Sequence, residues 1–194
     1  MAILITSLLV SLPIFLQGCT TAVIVGGAAA GAGAAHDRRT MGAMVEDQSI
    51  EMKAGSKISS DDELNERTHT NITSYNSIVL ITGEAPTQDM RSRLEQLVRE
   101  VPKVRRVHNE VTIASPSAFG SRSSDTWITT KVKTSLFNVK GIDHFDPTRV
   151  KVITENGIVF LMGLVSHEEA SAVVATASRV GGVQRIVKVF EYID

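Results

Sequence analysis

Between residues 71 and 194 the apolar positions trace one pattern twice. Asn71-Ile72-Thr73-Ser74-Tyr75-Asn76-Ser77-Ile78-Val79-Leu80-Ile81-Thr82-Gly83 lies over Lys151-Val152-Ile153-Thr154-Glu155-Asn156-Gly157-Ile158-Val159-Phe160-Leu161-Met162-Gly163 without a gap. Each stretch predicts a strand, a two-residue turn and a second strand. Asn156-Gly157 is a strong hairpin turn because both residues tolerate positive φ, and Asn76-Ser77 is a weaker version of it. Gly83 and Gly163 are expected to end the second strands. A helical period follows each hairpin. Met90, Leu94, Leu97 and Val98 share a face between about Thr87 and Glu100, and Ala170, Val173, Val174 and Ala177 share one between about Ser166 and Val180. Ser166-His167-Glu168-Glu169 fits a capping box, while Thr87 supplies a cap without the distal Glu.

Val101-Pro102-Lys103-Val104 then matches Val180-Gly181-Gly182-Val183, and a last strand is expected over Val107 to Ile113 and Ile186 to Ile193. A further helix precedes each hairpin, roughly Asp47 to Ser59 and Asp125 to Phe137. The order is helix, strand, strand, helix, strand, written twice. Ser115 to Ser124, rich in Ser with a Pro and a Gly, joins the copies. The fold class is therefore α+β, with two tandem αββαβ units, each a three-stranded sheet packed against two helices on one face. The expected bounds are 46–114 for the first unit, 115–123 for the link and 124–194 for the second unit.

Ahead of the repeats, Ile3 to Leu16 is almost wholly apolar. A run of about fourteen residues falls short of the roughly 20 that a spanning helix needs. It closes on Leu16-Gln17-Gly18-Cys19, which has the apolar core, small residue and cut site of a secretory leader. With cysteine at the cut, it resembles a bacterial lipoprotein signal. That resemblance implies a signal peptide over 1–18, acyl chains such as palmitate on Cys19, and an acylated tether over 19–45. Ala22 to Ala35 is almost entirely Ala, Gly and Val, as a flexible tether would be; the alternative is a small-residue helix of the kind that packs in bilayers. Thr20 stands where an Asp would suggest inner-membrane retention, which implies the outer membrane. Two details depart from the pattern: no Lys or Arg precedes the apolar run, and Gln17 replaces the commoner small residue.

Composition narrows the function. A chain of 194 residues with 43% hydrophobic content suits one ordinary domain or two small ones. With 20 basic against 21 acidic residues, it lacks the clustered positive excess that displaces counterions from nucleic acid, so no nucleic-acid partner is expected. One cysteine excludes an internal disulfide framework and any CxxC site. The five histidines, at 36, 69, 108, 144 and 167, form no metal-ligand spacing, and no G-x-S-x-G elbow exists. His167 belongs to a solvated helix cap, Asp61-Asp62-Glu63 is expected to be an acidic surface loop, and Asp143-x-x-Asp146 before Pro147 is turn chemistry. No catalytic residue, no metal and no cofactor are expected; the chain is not expected to be an enzyme, and a monomer is expected.

The helix that opens the second unit stands out. At 100° per residue, Ile128, Val132, Ser135 and Leu136 share one side, the core side, and Trp127, Thr130, Thr134 and Phe137 share the opposite one. Lys131 and Lys133 flank that second side. A helix in a small layered unit needs one buried face only. Trp prefers the headgroup zone of a bilayer, and lysines near an anionic surface contribute about 1 kcal/mol each. The outer face therefore suits contact with an anionic phospholipid membrane. The alternative is that Trp127 and Phe137 pack against the first unit or the link. In the first copy, Ser49, Met52, Ser56 and Ser59 take the corresponding places, with no aromatic, so the repeats are expected to share a fold but not a role.

The paired strands Ser77 to Gly83 and Gly157 to Gly163, with the Val-x-x-Val step before each last strand, resemble the BON domain. Ser77 departs from the usual Gly, which makes the first copy the less typical one. A lipoprotein signal followed by two such domains is similar to the dual-BON outer-membrane lipoproteins, and Asp125 to Val132 and Thr154 to Gly157 carry that similarity most closely. The resemblance implies a periplasm-facing, lipid-anchored protein that binds anionic phospholipid through this helix, supports outer-membrane integrity and is enriched at the division site. It leaves a second class open: a non-enzymatic adaptor that holds outer-membrane assembly proteins.

Overall fold

The computed structural model describes residues 37–115 and 119–194, with side chains from residue 123 in the second stretch. The leader, Cys19 and the Ala/Gly-rich stretch lie outside the described residues. The first repeat comprises α1 (Met41–Ser59), α2 (Asp62–Arg67), β1 (His69–Tyr75), β2 (Ile78–Ala85), α3 (Gln88–Arg99), β3 (Arg106–Asn109) and β4 (Thr112–Ile113). The second comprises α4 (Phe119–Leu136), a 3-10 turn at Pro147–Arg149, β5 (Val150–Glu155), β6 (Ile158–Val165), α5 (His167–Ala177) and β7 (Arg185–Tyr192). The second hairpin strand is central in each sheet. β1 is antiparallel and β3 parallel to β2, and β5 and β7 flank β6 in the same way. The parallel pairing needs a crossover, and α3 and α5 supply it.

Several elements depart from the sequence expectation. α1 starts at Met41 rather than Asp47, so 41–45 is helical and not tether; Thr40 caps it by accepting from the Ala43 N–H at 3.1 Å. α4 starts at Phe119, inside the stretch expected as a link. In α1 the added start precedes the buried stripe, so the apolar period does not register it. The acidic run is no loop either: the Asp61 carboxylate caps α2, whose first turn holds Asp62 and Glu63. The last strand of the first repeat breaks at Glu110 and Val111 into β3 and β4. Gly83 and Gly163 lie within β2 and β6 instead of ending them. A Cβ on Gly83 would stand 1.9 Å from the His69 carbonyl oxygen of β1, and one on Gly163 would stand 2.7 Å from that of Arg149 in the 3-10 turn, so neighbouring backbone comes too close for any side chain. The caps of α3 and α5 follow the sequence: Thr87 accepts from Met90, and Ser166 with Glu169 completes the capping box.

The opening helices carry the same buried stripe at the same spacing: Asp47, Ile50, Ala54 and Ile58 in α1, and Asp125, Ile128, Val132 and Leu136 in α4. The leading aspartates hold the hairpin turns. Asn76 and Ser77 have φ of 51° and 63°, and Asn156 and Gly157 have φ of 50° and 74°, so both turns use left-handed backbone and leave their amides outside the strand ladder. Asp47 accepts from the Asn76 and Ser77 amides at 2.7 and 2.8 Å and from the Ser74 hydroxyl at 2.6 Å. Asp125 accepts from the Asn156 and Gly157 amides, both at 2.8 Å.

Three apolar cores result. One lies between α1, α3 and the first sheet, with Ile50, Val79, Ile81 and Leu94. Its counterpart in the second repeat holds Val132, Val159, Leu161 and Val173. The third joins the opposite faces of the two sheets through Tyr75, Ile78, Leu80, Phe160, Met162 and Val189. The repeats are thus back to back, with the helices outermost. Polar ties rim this seam. Asn71 reaches Glu155 at 3.1 Å, Asn76 reaches Glu191 at 2.6 Å, Asn156 reaches Glu84 at 2.6 Å and Lys151 reaches Glu51 at 3.0 Å. Arg38 bridges Glu169 of the second repeat at 2.5 and 2.9 Å, while Arg39 pairs with Asp47 of the first at 2.8 Å. Burial alone would raise Glu169, but hydrogen bonds from Arg38 and the Ser166 amide, with the fields of Arg38 and Arg149, outweigh it and hold the carboxyl below its ordinary value.

Removing Asp125 would leave two turn amides without partners, so Asp125→Ala should lower the unfolding free energy by about 3 kcal/mol in chemical denaturation. Ser77→Gly should raise it by roughly 0.5–1 kcal/mol, because only glycine adopts that backbone without cost. Glu155 gives a pH signature. Burial pushes its carboxyl up, Asn71 opposes this, and Glu84 and Asp125 add to the rise. A raised carboxyl stabilises the fold below its unfolded value, and that contribution is lost as pH rises through the folded value. Glu155→Gln should therefore raise the melting temperature at about pH 7, with the gain vanishing below about pH 4.

Candidate functional site

α4 presents its buried stripe to the second core and leaves the opposite side to solvent. Trp127 is 63% exposed and Phe137 is 72% exposed. These rings do not pack into the seam between the repeats, which is filled by Tyr75, Phe160 and their neighbours. Phe137 sits just past the last turn, where its N–H bonds to the Thr134 carbonyl at 3.3 Å. Ten residues of helical rise set the two rings about 15 Å apart along the axis.

The threonines between them complete an apolar surface. The Thr130 hydroxyl donates to the Thr126 carbonyl and the Thr134 hydroxyl to the Thr130 carbonyl, both at 2.9 Å. Each hydroxyl is committed to its own helix one turn back, so the γ-methyl groups are left for the outer surface. The stripe Trp127, Thr130, Thr134, Phe137 is therefore less polar than its composition suggests. Thr129 ties the helix to the sheet beneath, through the Thr154 hydroxyl at 2.7 Å.

The two lysines differ. Lys131 lies with its ammonium 6.0 Å from the Trp127 ring centroid and donates to the Gly181 carbonyl, so its charge is tied to the turn before β7. Lys133 is exposed and makes no ion pair or hydrogen bond among the described residues. The structure thus brings Trp127 and Lys131 together and sets Lys133 free on the other flank.

A cavity of about 540 Å3 beside α4 is lined by Asp125 and Glu155, among others. Asp125 is committed to the turn amides and Glu155 to Asn71, so both serve the fold. Among the described residues, no group of three or more His, Cys, Asp or Glu is placed to hold a metal ion, and no helix is long and apolar enough to cross a membrane. His167 stacks on Tyr192 with centroids 4.0 Å apart and bonds Asp194 at 2.9 Å, so it ties the end of the chain to the start of α5. Sequence reasoning missed one surface. α1 exposes Met41, Val45 and Met52 at 63%, 68% and 66%. Their spacing is helical, but Met41 and Val45 fell before the expected helix start.

Comparison with known proteins places these features in a family. The model for the BON domain matches residues 46–115 and again 124–194. The outer membrane lipoprotein DolP of Haemophilus influenzae is 40% identical over 188 residues, covering 97% of this chain and 95% of that protein. A 21 kDa hemolysin of Actinobacillus pleuropneumoniae is 35% identical over 158 residues, covering 81% of this chain and 80% of its own. A solved structure of the C-terminal domain of CdsD, a structural protein of the type III secretion system of Chlamydia trachomatis, aligns at a TM-score of 0.30 and 14% identity over 76% of this chain and 67% of its own. With two matched domains and a relative that shares nearly its full length, the chain belongs to the BON domain family, as a dual-BON, DolP-like protein.

Proposed function

We propose that this protein is an outer-membrane lipoprotein, held on the periplasmic side through an acylated Cys19, that binds anionic phospholipid through the outer face of α4. The observation that carries this reading is the exposure of Trp127 and Phe137 on one apolar stripe, with lysines on both flanks. Several acyl chains on Cys19 are enough to anchor a protein. The α4 face need not anchor and instead selects where on the membrane the domain rests, by preference for anionic headgroups. Its interaction partners are lipids rather than reacting substrates, and no step of catalysis is assigned. The name of the relative from Haemophilus influenzae supports the location. Support of outer-membrane integrity and enrichment at the division site rest on the family resemblance.

A second reading has one observation in its favour. The exposed Met41, Val45 and Met52 on α1 give the first repeat an apolar face of its own, which suits a protein partner in outer-membrane assembly. Vesicle co-sedimentation separates the two. Residues 38–194 form a compact unit containing all three cores, so the fragment is the natural test protein. It should pellet with phosphatidylglycerol vesicles and not with phosphatidylcholine vesicles. Trp127→Glu should weaken that binding at least tenfold, because moving an indole into the interface is worth about 1.5–3 kcal/mol. Unchanged binding would remove α4 from the account. Headgroup-independent or absent binding would favour the adaptor.

A further inference from the structure

Beside the α4 stripe a second cavity, of about 390 Å3, is lined by residues of both repeats. Its wall carries Arg39, Lys133 and Lys151, the rings of Tyr75 and Phe137, and no carboxylate. The partners of two of these cations, Asp47 for Arg39 and Glu51 for Lys151, are not part of that wall. The Arg39 guanidinium lies 3.8 Å from the Tyr75 ring centroid, which fixes its plane. Lys133 is the free lysine of the α4 flank, and Phe137 belongs at once to the cavity wall and to the exposed stripe.

We infer that this cavity seats the phosphodiester of an anionic glycerophospholipid, whose acyl chains run past Phe137 along the α4 stripe. The inference rests on the membrane-contact reading of α4 and adds to it the place where the headgroup goes. Arg39 and Lys151 keep their partners Asp47 and Glu51, so Lys133 leaves the site one net positive charge, which matches a group with a single negative charge and two unesterified oxygens. The volume lies in the usual range for small-molecule sites. The cavity also discriminates. A choline or ethanolamine head brings its own cation to a wall whose neighbouring carboxylates are already paired with Arg39 and Lys151, so it finds no acceptor for its charge and zwitterionic lipids are disfavoured. On the opposite flank Lys131 is already tied to the Gly181 carbonyl, which leaves the Lys133 side as the one that receives the phosphate.

Residues 38–194 labelled with 15N, titrated with soluble headgroups, test this. Glycerophosphoglycerol should shift the amides of Lys133, Phe137 and Lys151 saturably, and glycerophosphocholine should bind several-fold more weakly. Lys151→Gln and Lys133→Gln should each weaken glycerophosphoglycerol about fivefold, the equivalent of about 1 kcal/mol per lysine, while Lys151→Arg keeps the affinity. Lys133 has no partner among the described residues, so its variant guards against a trivial loss of structure at Lys151. An absence of saturable shifts at these amides, or affinity unchanged in both Gln variants, would overturn the seat. Inorganic phosphate binding as tightly as glycerophosphoglycerol would overturn the lipid assignment in favour of a free-phosphate site. Trp127→Glu separates the two proposals: it should weaken vesicle binding at least tenfold and leave the headgroup shifts intact. Lost shifts with vesicle binding still dependent on Trp127 would sink the cavity alone. Intact shifts with vesicle binding independent of Trp127 would sink the stripe and leave the headgroup seat standing.

Discussion

The arrangement depends on the need to cover both faces of two small sheets. In each repeat the helices shield one face only, and the other would stand open to water as a slab of Ile, Leu, Phe and Met. The repeats meet this need by closing on each other, so that Tyr75, Ile78 and Leu80 bury Phe160, Met162 and Val189. A long exposed apolar face is an association hazard for any sheet. Here the duplicated domain removes it within one chain. Because the sheets occupy the middle, α1 and α4 are pushed outward, and the outer face of α4 becomes available to a flat partner.

Much of this could be read from the sequence because the second copy checks the first. The hairpins, the helix caps at Thr87 and Ser166, and the core side of α4 follow from period and turn chemistry. The third core was also written there, in a form easily passed over. Ile78-Val79-Leu80-Ile81 and Ile158-Val159-Phe160-Leu161-Met162 do not alternate, and an unbroken apolar run in a central strand means burial on both faces. Asp47 and Asp125 head matching stripes, yet an aspartate at a helix start suggests a cap. Only the fold shows that the carboxylates reach across to turns 29 and 31 residues away. The early start of α1 was silent because Met41 and Val45 point to solvent and so add nothing to the buried period.

The candidate site divides in the same way. The exposure of Trp127 and Phe137 follows from counting along a helix. The inward bonds of the Thr130 and Thr134 hydroxyls do not, nor does the contrast between the tied Lys131 and the free Lys133. Those depend on backbone carbonyls and on a turn at Gly181 some 50 residues away. The cavity under Phe137 draws on three separate segments, around residues 39, 75 and 133–151, which no local pattern could have joined.

The paired arginines at the head of the globule carry a mechanical consequence. Arg38 grips the second repeat through Glu169 and the Leu164 carbonyl, and its neighbour Arg39 grips the first through Asp47. Two adjacent residues thus fasten the start of the described chain to both halves at their junction.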